Sequence, residues 1–179
     1  MPAWIALLRG INVGGRNKLS MAELKTAFEA VGCSSVRTYI QSGNVVFQDV
    51  ATSADELSKK LAIAIEARFG FRPIILLLNE AEFRMAMQNN PFADAVSVPK
   101  TLHFYFLASA PASPDLDAIA TLATATERYQ LIGKVFYLHA PDGIGRSKLA
   151  AGAERKLGVS ATARNYSTVL ALSEMLACE

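Results

Sequence analysis

At 179 residues, 51% of them hydrophobic and 19% charged, the chain has ample apolar material for a packed core and is too apolar to stay disordered. A net charge of +2 is close to neutral and argues against a general nucleic-acid coat. The longest apolar runs, Trp4 to Leu8, Pro73 to Leu78 and Phe104 to Leu107, fall far short of the roughly 20 residues a membrane span needs, so they read as strands. The N-terminus lacks the basic start, apolar core and small-residue cleavage site of a signal peptide, which makes a cytoplasmic location the expectation. Cys33 and Cys178 fit a reducing compartment, and neither sits in a CxxC or a Cys/His cluster, so no metal site is expected.

In chain order, Ala3 to Arg9 is the first predicted strand, and the loop Gly10 to Leu19 follows it. Ser20 and Glu23 have capping-box spacing. Leu24, Ala27, Phe28 and Val31 then give a helical apolar stripe, and Gly32 ends it. Val36 to Gln41 and Asn44 to Gln48 read as strands joined by a hairpin at Ser42-Gly43. Ser53 and Glu56 open a second helix with Leu57, Leu61, Ile65 and Phe69 on one face, stopped by Gly70. Ile74 to Leu78 is a strand, and Asn79 and Glu82 begin a third helix that runs to about Gln88.

Residues 89 to 100 carry Asn-Asn-Pro and Pro99 as breakers and read as a linker. The pattern then restarts. Leu102 to Ala108 is a strand. Ser113-Pro114-Asp115 opens a helix with Leu116, Ile119 and Ala123 inward. Arg128 to Ile132 and Val135 to His139 form a hairpin across Gly133-Lys134. A helix from Ser147 carries Leu149, Ala153 and Leu157 and stops at Gly158. Val159 to Ala163 is a short strand, and Asn165 or Ser167 caps a last helix with Val169, Leu172 and Leu176.

The order β-α-β-β-α-β therefore occurs twice, each time with an added helix. It predicts an α+β protein of two ferredoxin-like halves, residues 1–90 and 91–179. Trp4 to Leu8 and Ile74 to Leu78 are apolar on both faces, so the two sheets are expected to pack together.

Three segments could carry chemistry. The loop Arg9-Gly10-Ile11-Asn12-Val13-Gly14-Gly15-Arg16-Asn17-Lys18 holds three cations and no acid, and glycines let backbone amides face an anion. Gly10 and Gly15 have P-loop spacing, but Arg16 and Asn17 stand where a P-loop needs Lys and Ser or Thr. The second segment, the turn Gln41-Ser42-Gly43-Asn44, is placed by ferredoxin-like topology at the same sheet edge as the end of the first strand. Arg9, Gly10, Asn12, Gly14, Gly15 and Lys18 would then meet Gln41, Ser42 and Asn44 as a convergent ligand-binding set. The second half has Ser109-Ala110-Pro111-Ala112-Ser113 and Gly133-Lys134 at the equivalent places, so the scaffold does not demand this decoration. The third segment, Thr162 to Thr168, puts Arg164 and Asn165 at a helix N-terminus, which attracts anions. Gly143 to Lys148 is a similar basic turn. His103 and His139 have no flanking nucleophile and carboxylate, and read as structural.

Arg9-Gly10-Ile11-Asn12-Val13-Gly14-Gly15, then Met21, then Thr38-Tyr39-Ile40-Gln41-Ser42-Gly43-Asn44-Val45 resemble the signature of a bacterial family, domain of unknown function 1697. Thr162, Arg164 and Asn165 match its C-terminal pattern, with Tyr166 where Trp is more usual. The resemblance implies paired α+β units. It assigns no reaction, substrate or cofactor, and no catalytic residue carries over.

The residues favour binding of a small anion, a nucleotide or phosphorylated metabolite, at the first-half loop. An enzyme at the same site would have to work by positioning and electrostatics. RNA binding on a ferredoxin-like sheet would use aromatic residues on the central strands, which Asn44-Val45-Val46-Phe47 lacks. A structural or oligomer-forming role is the remaining alternative.

Overall fold

In the computed structural model, residues 1–51 and 53–177 are described. The first repeat runs β1 (Ala3–Arg9), α1 (Met21–Ala30), β2 (Ser34–Tyr39), β3 (Asn44–Gln48), α2 (Ala54–Phe69), β4 (Ile74–Asn79) and α3 (Glu80–Gln88). A 3-10 turn at Ala93–Ser97 follows. The second repeat runs β5 (Leu102–Leu107), α4 (Leu116–Leu122), β6 (Arg128–Ile132), β7 (Val135–His139), α5 (Lys148–Leu157), β8 (Ala161–Asn165) and α6 (Tyr166–Ala177), with a 3-10 turn at Ile144–Arg146.

Each repeat makes a four-stranded antiparallel sheet, ordered β2-β3-β1-β4 and β6-β7-β5-β8. This is the ferredoxin-like order, with the first and third strands of each repeat in the centre. The chain divides into two compact units, Met1–Met85 with the chain from Ala171 onward, and Ala86–Leu170.

The helix ends are made locally. Ser20 accepts the Glu23 amide while the Glu23 carboxylate accepts the Ser20 amide, the reciprocal box expected from the spacing. Asn79 and Glu82 do the same at α3. Ser53, Asp115 and Ser147 cap α2, α4 and α5. Of the two residues expected to cap the last helix, Asn165 accepts the Thr168 amide at 3.0 Å. Gly70 and Gly158 end their helices at φ of 75° and 72°, where a residue with a side chain would be strained.

In the first unit Trp4, Ala6 and Leu8 of β1 pack with Leu24 and Phe28 of α1 and with Leu57, Leu61 and Ile65 of α2. Phe28 and Phe47 meet edge to face at 5.1 Å. Each of these large side chains contributes about 1.5–3 kcal/mol on full burial. In the second unit Tyr105 and Leu107 of β5 pack with Ile119 of α4 and with Leu149, Ala153 and Leu157 of α5. Gly152 of α5 lets Leu122 approach, since a Cβ there would lie 2.6 Å from Leu122 Cδ1.

Four expectations need correction. β2 begins and ends two residues earlier than predicted, because Ile40 has φ of +47° and cannot continue the strand. β8 begins and ends two residues later, because pairing with β5 runs from Leu107↔Ala161 to His103↔Asn165. Ile74, expected to be buried on a two-faced apolar strand, is 53% exposed at the start of an edge strand. Leu116, expected inward, is 50% exposed at the first position of α4, and Ile119 alone supplies that helix's fully buried side chain.

Cys33 is buried, and its Sγ donates to Asp49 Oδ2 at 3.5 Å, while Asp49 Oδ1 accepts the Ala51 amide at 2.7 Å. Burial first, and the Asp49 charge second, push the thiol up to about 12. The thiol form is favoured in the fold, so the linked stability is complete below the pKa of an unfolded cysteine and is lost as pH rises towards 12. Cys33 should therefore label with iodoacetamide at pH 8 roughly a thousandfold more slowly than an exposed cysteine. The check is mass spectrometry on a Cys178→Ser variant. Cys178 itself lies outside the described residues.

Candidate functional site

β1 delivers Arg9 to the sheet edge, paired with Ile74, and Gly10 turns the chain at φ of +84°. The loop that follows is a closed miniature hairpin. Arg16 N–H donates to the Val13 carbonyl at 3.0 Å across Gly14 and Gly15, both at positive φ, as in a type I′ turn. Asn12 N–H donates to the Asn17 carbonyl at 3.0 Å, and Asn17 Nδ2 donates to the Gly10 carbonyl at 2.7 Å. Ile11 and Leu19 are buried at the base.

Asn12 is the pivot. Its Nδ2 donates to the Leu19 carbonyl at 2.8 Å and to the Gln41 carbonyl at 2.9 Å, and its Oδ1 accepts the Leu19 amide at 2.9 Å. The first two bonds use both amide hydrogens, so this side chain shapes the loop and ties it to the hairpin turn. A second tie runs from Leu8 N–H to the Gly43 carbonyl at 2.8 Å. Gly43 is pressed against the loop: a Cβ there would lie 2.7 Å from both Leu8 Cβ and Ile11 Cδ1. Asn44 is fully buried and donates to the Tyr39 carbonyl at 3.0 Å and to Ser42 Oγ at 2.9 Å, which holds the turn closed from inside.

The nine first-half residues expected to form a site, Arg9, Gly10, Asn12, Gly14, Gly15, Lys18, Gln41, Ser42 and Asn44, thus share one end of the first sheet. Arg9, Arg16, Lys18, Gln41 and Ser42 are exposed there. The amides of Asn12, Arg16 and Leu19 all donate within the loop, so it is not the open amide cradle of a P-loop. Nor is the N-terminus of α1 open to an anion. The Glu23 carboxylate already sits there, accepting from the Ser20 amide at 3.1 Å and the Ser20 hydroxyl at 2.8 Å, and these bonds hold it below the usual carboxylate range. An anion at this face would be held by side chains.

Arg164 and Asn165 lie on β8, in the second unit. Arg164 pairs with Phe104 in the sheet, its Nη1 donates to the Ala163 carbonyl at 2.9 Å, and burial pushes its guanidinium down to about 10. The Gly143 to Lys148 segment borders a cleft of about 210 Å³. Glu127 and Asp142 line that cleft together with Arg146, a mixed-charge set unlike a site for an anion alone.

His103 is buried on β5, and burial lowers its pKa, so the fold favours the neutral ring. His139 Nδ1 accepts from Arg128 Nε at 3.3 Å, and Arg128 in turn grips both Asp94 oxygens at 3.2 and 2.6 Å. Both histidines serve the packing of the second unit. Among the described residues, no group of three or more His, Cys, Asp or Glu side chains is placed to hold a metal ion, and no helix is long and apolar enough to cross a membrane.

Residues 1–137 match the family described as protein of unknown function, DUF1697. The chain belongs to this family. The DUF1697 match includes the whole of the loop and turn described above. A solved structure described as the conserved bacterial protein SP0830 from Streptococcus pneumoniae is similar over 98% of both chains, with 26% identity and a TM-score of 0.68. Comparison with curated proteins finds no match.

Sequence reasoning missed two features of this end of the sheet. Asn17 pins the loop, and its signal was an Asn two residues after a glycine pair, a residue that tolerates its observed φ of +51°. Ile40 has a left-handed backbone, and no sequence signal marks a β-branched residue for that conformation.

Proposed function

We propose that the first unit binds a small anionic ligand, a nucleotide or phosphorylated metabolite, on the face shared by the β1–α1 loop and the β2–β3 turn. The observation that carries this reading is the Asn12 to Gln41 bond, which ties the loop to the turn with Arg9, Arg16 and Lys18 exposed around them. Arg16 and Lys18 stand exposed on a loop with no acid in residues 1 to 18, so a bound anion would gain favourable charge contacts there. The polar groups of Gln41 and Ser42 would orient it.

The second unit supports the assignment by contrast. It repeats the scaffold tie, with Leu107 N–H donating to the Lys134 carbonyl at 2.9 Å. Its loop between β5 and α4 carries no cation, only small residues and prolines before Asp115. The basic decoration of the first loop is therefore not needed to build a sheet of this kind.

The test is a thermal-shift screen of nucleotides, sugar phosphates and pyrophosphate against wild type and the double variant Arg16→Ala/Lys18→Ala. A ligand at 100 times its Kd adds about 2.7 kcal/mol, a shift of several degrees. The double variant, altered only at exposed side chains, should melt within about 0.5 kcal/mol of wild type without ligand and lose most of the shift. Absence of a shift with every anion, or an equal shift in the variant, would overturn the reading.

A further inference from the structure

Ile40 is the least comfortable residue on this face. It is β-branched, its φ is +47°, and its side chain is 51% exposed. A branched Cβ in the left-handed region clashes with its own carbonyl, which is why turns at such positions take Gly or Asn. Folding gains little in return, since half of the side chain faces solvent. Val13, next to the Gly14-Gly15 turn of the miniature hairpin, is a second exposed β-branched residue, at 66%. The two residues flank one hydrogen bond, Asn12 to Gln41, being the next residue after the first and the last before the second. Two apolar residues are thereby exposed on the same loop and turn that carry Arg9, Arg16, Lys18 and Gln41.

Strained backbone positions cluster at ligand and switch sites. Resting on the anion-binding reading above, we infer that the ligand is a nucleoside phosphate, its base seated on Ile40 and Val13 and its phosphate held by the loop cations. A bare phosphate or a sugar phosphate would match the cations and leave both apolar side chains unused. A flat base covers them while its phosphate stays within reach of the long Arg and Lys side chains. The charge complementarity and the adjoining apolar pair are the same two features that such a ligand combines in one molecule.

The experiment compares AMP with ribose 5-phosphate by isothermal titration, because the two differ only in the base. Wild type should bind AMP at least tenfold more tightly. Ile40→Gly, which keeps the backbone conformation at no steric cost, should lose most of the AMP preference, with its ribose 5-phosphate affinity within twofold of wild type. Ile40→Asn, which also tolerates the left-handed region, should do the same and guards against a folding artefact peculiar to glycine. Equal affinity of wild type for the two ligands, or an undiminished AMP preference in both variants, would overturn this inference and leave the anion site standing. Failure of every phosphate compound to bind would remove the anion site itself and the inference with it.

Discussion

Adding a single methyl group at Gly43 is expected to destabilise the protein by about 2–5 kcal/mol, from left-handed strain of about 1–2 kcal/mol and overpacking of about 1–3 kcal/mol. Gly43 has φ of +78°, and its Cβ would be placed 2.7 Å from Leu8 Cβ and from Ile11 Cδ1. Ile11 can rotate part of the way out. Leu8 Cβ belongs to a central strand paired on both sides, so it cannot retreat without disturbing the sheet. Gly15→Ala is the control. Its φ is +76° but nothing lies within 4 Å of the added Cβ, so only the backbone cost of about 1–2 kcal/mol applies. Urea unfolding of the two variants measures the difference. Equal loss in both would mean that the contact with Leu8 and Ile11 relaxes freely and does not set the position of the turn.

The second large effect is expected at Asn12. Asn12→Ala should cost about 2–4 kcal/mol, because it leaves the carbonyls of Leu19 and Gln41 and the Leu19 amide without their partner and forces alanine into the left-handed region. The φ of +53° accounts for part of this, and Asn12→Gly, which accepts that φ, isolates the hydrogen bonds. Asn12→Asp should be no better than alanine. It can still accept the Leu19 amide, but it turns a carboxylate towards the two carbonyls that Nδ2 now serves. All three variants should weaken phosphate binding at least tenfold, although Asn12 is assigned no contact with the ligand, because the loop and turn lose their tie. Urea titration and phosphate-ester binding on the same preparations check both effects. Full affinity in a destabilised Asn12→Gly would show that the tie serves folding alone.

The helices were legible in the sequence because their signals are local. Ser20 with Glu23, Gly70 and Gly158 act within a few residues of chain, through hydrogen bonds that each helix end needs in any fold. The hairpin strands β3, β6 and β7 were placed to the residue for the same reason, since each neighbours a short turn. β2 and β8 were displaced by two residues, β2 because Ile40 turns left-handed and β8 because its pairing with β5 extends to Asn165.

The candidate site divides in the same way. Its location was readable: glycines and cations at the end of β1, and topology that brings the β2–β3 turn alongside. The division of labour among its residues was not. Asn12 and Asn44 looked like ligand groups, and the structure shows Nδ2 donors of both engaged within the fold. Topology already brought Asn12 near Gln41, but across 29 residues of chain nothing in the sequence showed that the two bond directly.

By itself, then, the sequence determined the repeated β-α-β-β-α-β order, the helix caps, the basic loop and its family, because these follow from short-range geometry and residue type. Only the tertiary structure decided that the loop closes on itself as a small hairpin and that Ile40 stands exposed in a left-handed turn. Each of these depends on which backbone groups remain unpaired once the central strands have met, and that is settled by packing between distant segments.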